Sequence, residues 1–234
     1  MEAPQHSGLI QRVLAIPNKR QERRLVGFLT RPEVDALLAA PNRNTWLGRR
    51  DHGLLLMAIQ TGLRLSEITA LRREDVVLGK GAHVRCEGKG RKERCTPLTK
   101  PTVTVLTEWL REQGQRGTVN LFPTARGGRL SADAVQYLVT KYEGVARRAC
   151  STLSTKRVTP HLLRHTAAME LLQAGVDRAV IALWLGHESV ETTQIYLDAD
   201  LAMKEEALSK TTPLDVKGIR YRPDDELLAF LKSL

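Results

Sequence analysis

Residues 75–98, DVVLGKGAHVRCEGKGRKERCTPL, decide the fold. The run His83-Val84-Arg85-Cys86-Glu87 alternates in polarity, and so does Lys92-Glu93-Arg94-Cys95-Thr96. A period of two belongs to strands with one buried face. Gly88-Lys89-Gly90-Arg91 between them supplies a hairpin turn, and Val76, Val77 and Leu78 complete a small three-stranded antiparallel sheet. On either side of this stretch the apolar period lengthens to that of helices. Upstream, Thr30 reads as the N-cap of a helix with Pro32 and Glu33 in its first turn and Val34, Leu37 and Leu38 on one face. A second helix over residues 49–60 ends at Gly62, where a left-handed cap forms easily. Ser66 is placed to cap a short helix beginning Glu67-Ile68-Thr69-Ala70. Downstream, helices are expected over residues 102–113, 132–150, 160–174, 178–185 and 190–198, punctuated by Arg126-Gly127-Gly128 and Gly175. The fold class is mainly α (α+β), a helical domain carrying one small antiparallel sheet.

With 234 residues, 42% of them hydrophobic, the chain can bury a substantial core as one large domain or one domain with a small appendage. Three segments are expected: a basic arm or linker over residues 1–28, a main domain over 29–211, and a tail over 212–234 with a short amphipathic helix. The net charge of +10 favours a polyanionic partner, with nucleic acid the leading candidate. The charge is clustered. Arg12, Lys19, Arg20, Arg23, Arg24 and Arg31 face only Glu2 and Glu22 in the first stretch, and Lys141, Arg147, Arg148, Lys156, Arg157 and Arg164 face only Glu143 in a later one. Such clusters attract phosphates without reading base sequence, although any one of them is equally well a solvated charged face. Cys86, Cys95 and Cys150 lack the spacing of a disulfide framework or a zinc site, which fits a reducing cytoplasm. No segment approaches the run of about 18 apolar residues that spans a membrane, so a soluble intracellular protein is expected.

Several polar residues stand where chemistry could use them. Arg64 lies just past a helix end in Thr61-Gly62-Leu63-Arg64-Leu65-Ser66-Glu67, where a guanidinium can hold two phosphate oxygens while Glu67 orients it. Read alone, it is a surface arginine paired with Glu67. His161 and Arg164 sit three apart near the start of a helix capped by Thr159 and opened by Pro160, an end suited to anions. His165, one position further, is rotated toward packing or a supporting place. Lys89 tops the hairpin, although Arg91 and Lys92 compete for any role there. His187 follows Gly186 at a helix end, and Tyr196 lies two turns into the next helix, where a lone tyrosine is ordinarily core.

In chain order, GLRLSE, GKGRKER, HLLRH, LGH and IYL resemble the catalytic domain of the tyrosine recombinases, the phage-integrase family of DNA strand exchangers, from about Leu29 to Ala207. The resemblance implies a catalytic set of Arg64, Lys89, His161, Arg164, His187 and Tyr196, with Glu67 in support. It implies that Tyr196 attacks the scissile phosphate to give a 3′-phosphotyrosyl link and a free 5′ hydroxyl, with neither metal nor other cofactor. Arg23, Arg24, Arg91, Lys92, Lys156 and Arg157 are the expected contacts to double-stranded DNA. A homotetramer on paired DNA sites is expected, with an accessory recombinase or DNA-bending protein as a further partner. Integration or excision of a mobile element is the expected role, with dimer resolution as a variant of identical chemistry. A type IB topoisomerase, which uses a similar site, and a DNA-binding relative without turnover are the alternatives. Family members carry an amino-terminal helical domain that closes around DNA. The 28 residues before Leu29 imply either a minimal recombinase or a truncated relative that needs another protein. The run Leu201–Leu208 and the amphipathic stretch Asp224–Leu231 would dock on a neighbouring protomer or fold back on their own core.

Overall fold

A computed structural model of the chain describes residues 27–88, 93–114, 117–186, 205 and 208–211. Within them the order is α1 (Arg31–Ala39), α2 (Trp46–Thr61), α3 (Leu65–Ala70), β1 (Val76–Val77), β2 (His83–Glu87), β3 (Glu93–Pro97), α4 (Lys100–Gly114), α5 (Ala132–Ala146), α6 (Pro160–Gln173) and α7 (Arg178–Leu185). Short 3₁₀ turns at Arg73–Asp75 and Ser151–Thr155 complete the set. The expected arm before residue 27, the helix over 190–198 and the tail from 212 lie outside the described residues.

The sheet is antiparallel in the order β1-β2-β3. Val84 pairs with Thr96 and Cys86 with Arg94, so those four side chains turn inward while Arg85 and Glu93 face out. The alternation read from the sequence is the pleat itself in β2, whereas β3 turns the polar Arg94 and Thr96 inward and leaves Cys95 on the other face.

Helix α2 forms the centre. Its Leu54, Leu55, Leu56, Met57 and Ile59 are all buried, the pattern of a helix covered on every side. It packs against α1, α4 and α6, while α5 rests on α1 and α3. A second apolar cluster of Leu171, Val176, Val180, Ile181, Trp184 and Leu185 joins α6 to α7, and Leu208 folds onto it. One buried polar network ties the centre to α5: Arg50 and the Tyr142 hydroxyl both donate to the Asp51 carboxylate, at 2.8 and 2.7 Å.

Caps fix the helix ends. The Glu33 carboxylate accepts from the Thr30 backbone N–H at 2.7 Å, opening α1. Thr159 and Asp177 accept from N–H groups in the first turns of α6 and α7. Helix α2 starts earlier than expected because Thr45 accepts from the Gly48 N–H. Ser66 does not cap α3. The helix begins at Leu65, because the Glu67 carboxylate reaches back to the Arg64 N–H at 2.6 Å and moves the cap to Arg64. No described helix is long and apolar enough to cross a membrane.

Candidate functional site

Gly62 ends α2 in the left-handed conformation, at φ 63°. A Cβ there would stand 2.8 Å from Leu185 Cδ2 and 3.1 Å from Ala167 Cβ, so only glycine lets the α2–α3 junction approach α6 and α7 this closely. The turn delivers Arg64 to the cap of α3. Its Nη1 donates to Glu67 Oε1 at 3.1 Å and its Nη2 to the Gly186 carbonyl at 2.8 Å.

Helix α6 brings the second guanidinium. Arg164 is buried, and it donates to the Gly62 carbonyl from Nη1 and to the Leu185 carbonyl from Nη2, both at 2.6 Å. A third guanidinium, unassigned by the sequence reading, comes from β3. Arg94 grips Glu67 at two points, 2.8 and 2.7 Å, and its Nε donates to the Trp184 carbonyl at 3.3 Å. The carbonyls that α7 leaves without helical partners at Trp184, Leu185 and Gly186 thus each receive one arginine. Three cations converge on one carboxylate and one helix end, and His187 is the next residue in the chain.

The electrostatics follow from burial and proximity. Burial alone pushes the Glu67 carboxyl up. Hydrogen bonds and charge from Arg94, then the backbone N–H and guanidinium of Arg64, more than reverse this and hold it below the usual carboxylate range. Arg164 is pushed down to about 10, first by burial and then by the charges of Arg64 and Arg94. It stays protonated at neutral pH, so the cluster keeps a net positive charge. Arg64, whose side chain is 35% exposed, is the member that reaches solvent. This is an oxyanion-holding arrangement: fixed donors with one edge open.

His161 is exposed at the start of α6, and its Nε2 lies 2.9 Å from Nε2 of His165 with the rings edge to face. One nitrogen must donate and the other accept, so this contact excludes the doubly protonated pair. Burial, then His161 and Arg164, hold the His165 imidazole below its ordinary value. His165 is thus the hydrogen-bond partner of His161, one turn along the helix.

Of the expected DNA contacts, Arg157 is exposed, whereas the Lys156 ammonium is held by the Glu33 carboxylate at 2.6 Å and the Phe28 carbonyl at 2.9 Å. Arg23, Arg24, Lys89, Arg91, Lys92, His187 and Tyr196 lie outside the described residues. Among the described residues no group of three or more His, Cys, Asp and Glu side chains could hold a metal ion.

Residues 27–203 match the family model described as the phage integrase family. The chain is 67% identical over 234 residues to a Sinorhizobium fredii protein described as an integrase/recombinase, y4rC, across 100% of this chain and 70% of that one. It is 37% identical over 182 residues to the tyrosine recombinase XerD of Ralstonia nicotianae, across 76% of this chain and 57% of that one. A solved structure of the XerH site-specific recombinase bound to a palindromic difH substrate, in a post-cleavage complex, matches with a TM-score of 0.64 at 27% identity. That match covers 82% of this chain and 55% of the other, so the chain spans just over half the length of XerD and of that XerH chain.

Proposed function

The chain belongs to the phage integrase family of tyrosine recombinases, and on that premise we propose that it cleaves and rejoins duplex DNA through Tyr196. The observation that carries this reading is the meeting of Arg64, Glu67 and Arg164 at the end of α7, immediately before His187. Residues about a hundred positions apart share two adjacent carbonyls, and their guanidiniums are the donors that a phosphate's nonbridging oxygens need.

In the proposed reaction the Tyr196 oxygen attacks the scissile phosphorus, the bond to the 5′ oxygen breaks, and the DNA 3′ end stays on the phenol as a phosphodiester. Lys89 gives a proton to the departing 5′ oxygen. A phenol ordinarily loses its proton near pH 10, so the surrounding cations must ease that loss and a neighbouring base must take the proton as the bond to phosphorus forms, returning it when the phenol leaves. A 5′ hydroxyl from a partner duplex then reverses the step, returning the phenol. Arg64 and Arg164 hold the charge that builds on the phosphate, His161 and His187 hydrogen-bond it, and Glu67 orients Arg64. Bond energy is conserved, so neither nucleotide nor metal is required.

The main domain over residues 29–211 carries this chemistry, flanked by a DNA-contacting arm over 1–28 and a tail over 212–234. Arg23, Arg24, Arg91, Lys92 and the exposed Arg157 contact the duplex. Lys156 is left out of that set because its ammonium is engaged by Glu33. Four protomers act on two paired sites, with an accessory recombinase or DNA-bending protein as a further partner. The likeness to an integrase/recombinase across the whole chain supports a role in integration or excision of a mobile element. Cys86, Cys95 and Cys150 form no disulfide among the described residues, which fits action in the cytoplasm.

A suicide duplex, nicked near the cleavage point so that the 5′ fragment diffuses away, tests the reading. A covalent protein–DNA adduct that disappears in Tyr196→Phe is the expected result. Tight binding with no adduct under any partner condition would falsify it.

A further inference from the structure

Arg94 has a place that the reaction as described does not use. Only 7% exposed, it lies on the inward face of β3, and a buried guanidinium of this kind cannot reach a substrate itself. A buried ion pair adds little net stability over well-packed apolar side chains, so its use has to be sought in what it specifies. Three observations say what that is. First, the Glu67 carboxylate accepts four hydrogen bonds, which fills its capacity: two from Arg94 and two from Arg64, one of them backbone and one side chain. The two arginines therefore share one carboxylate, and a change in the grip of one displaces the other. Second, Arg94 Nε donates to the Trp184 carbonyl, two residues before the carbonyl that Arg64 holds at Gly186. Third, Gly186 is left-handed at φ 67°, and a Cβ there would lie 2.8 Å from Arg94 Nη1. The end of α7 is thus shaped to admit this guanidinium.

We infer that Arg94 is a positioning residue for strand cleavage: through the Glu67 carboxylate it fixes the Arg64 guanidinium, and through the Trp184 carbonyl it fixes the end of α7 that runs on to His187. Five residues after Lys89 in the same hairpin, it anchors one strand of that hairpin to the arginine cluster. The strand, the cap of α3 and the end of α7 are thereby held in one register. The inference rests on the recombinase reading for its consequence in catalysis, while its geometric content stands without it.

The variant that tests it is Arg94→Lys. Lysine keeps the buried positive charge, and with it the fold, but offers no planar fork for a two-point grip on Glu67. Affinity for an unnicked duplex is expected to change less than about 3-fold, because phosphate contacts elsewhere carry binding. Adduct formation on the suicide duplex is expected to fall about 100-fold, the scale of a misplacement near 1 Å. With Arg64→Ala already present, the same Arg94→Lys change is expected to cost no more than about 10-fold, because the share that acts through Arg64 is gone and only the hold on the end of α7 remains. An equal loss in both backgrounds, or a wild-type rate in Arg94→Lys alone, overturns the inference.

A second readout does not depend on activity. In ¹⁵N-labelled protein the Arg64 guanidinium N–H resonance, assigned by its absence in Arg64→Lys, is expected to shift or to broaden by exchange in Arg94→Lys. An unchanged resonance overturns the inference. Were the wild-type protein to form no adduct, the recombinase reading alone would fall, and this spectrum would still decide the role of Arg94.

Discussion

Replacing Glu67 with alanine probes the arginine cluster most sharply, because its side chain is buried and is the carboxylate that Arg64 and Arg94 share. The substitution removes four hydrogen bonds and leaves Arg94 buried with two unmatched donors near the charge of Arg164. Breaking a buried pair from one side costs about 3–5 kcal/mol, against about 0–1 kcal/mol for an exposed pair such as Arg72–Glu74. A domain of this size carries about 5–15 kcal/mol in total, so the loss is a large fraction of it and is read from the displaced unfolding transition. Its midpoint temperature drops by about 6–20 °C. Urea unfolding at pH 7, followed by circular dichroism with an unchanged slope, measures the loss, and Glu74→Ala serves as the exposed control. The sign with pH is set by the depressed Glu67 value. Its contribution is present above the unfolded value of about 4.5 and is lost as pH falls through the lower folded one, so the gap between wild type and variant narrows in acid. A loss no larger than that of Glu74→Ala would refute the claim that one carboxylate holds the cluster.

Three further outcomes are expected. Glu205, 4% exposed, has its carboxyl pushed up to about 7 by burial. It holds its proton more tightly folded than unfolded, so its contribution is full below about pH 4.5 and is lost as pH rises toward 7. Wild-type stability relative to Glu205→Gln should therefore fall between pH 5 and pH 8, by about 3 kcal/mol at most, and parallel urea midpoints for the two proteins would contradict this. Gly186→Ala places a Cβ against Arg94 in a backbone conformation that costs other residues about 1–2 kcal/mol. Thermal melting should show that loss and adduct formation should slow with it; melting and cleavage both at wild-type level would contradict the crowding at Arg94. Lys156→Ala leaves the buried Glu33 carboxylate without its ammonium, so unfolding should move to lower urea, by about 1–3 kcal/mol, while duplex affinity stays within about 3-fold. A large loss of affinity at unchanged stability would return Lys156 to the DNA surface.

The sequence carried the elements whose causes are local. Thr159 followed by Pro160 and Gly62 after α2 each signal a helix end through a hydrogen bond or a left-handed turn within a few residues. The alternation announced which side chains of β2 face the core, Val84 and Cys86, but in β3 the inward face is Arg94 and Thr96 and the apolar Cys95 lies on the other one. The cap of α3 has no mark at its own position, because Arg64 is not a capping side chain and the cap is made by Glu67 reaching backward. Arg94 carries no such signal, because Cys95 is the apolar member of its run and only the pairing with Cys86 turns the arginine inward, where it requires a buried acceptor. That the acceptor is Glu67, 27 positions earlier, depends on the packing of α3 against β3 and α7 and has no local mark. Lys156 illustrates the same limit: its partner Glu33 is 123 positions away, so a basic cluster in the sequence does not show which of its members a carboxylate of the fold engages.

The central claim is that Tyr196 is the nucleophile served by this arginine cluster, and mapping the covalent bond tests it most directly. After trapping on a suicide duplex, nuclease and trypsin digestion should leave a nucleotide on the peptide Ala179–Lys204, attached to Tyr196 through a 3′ phosphate and released with a free 5′ hydroxyl on the partner fragment. A nucleotide found on any other residue, or one attached through a 5′ phosphate, would contradict the account.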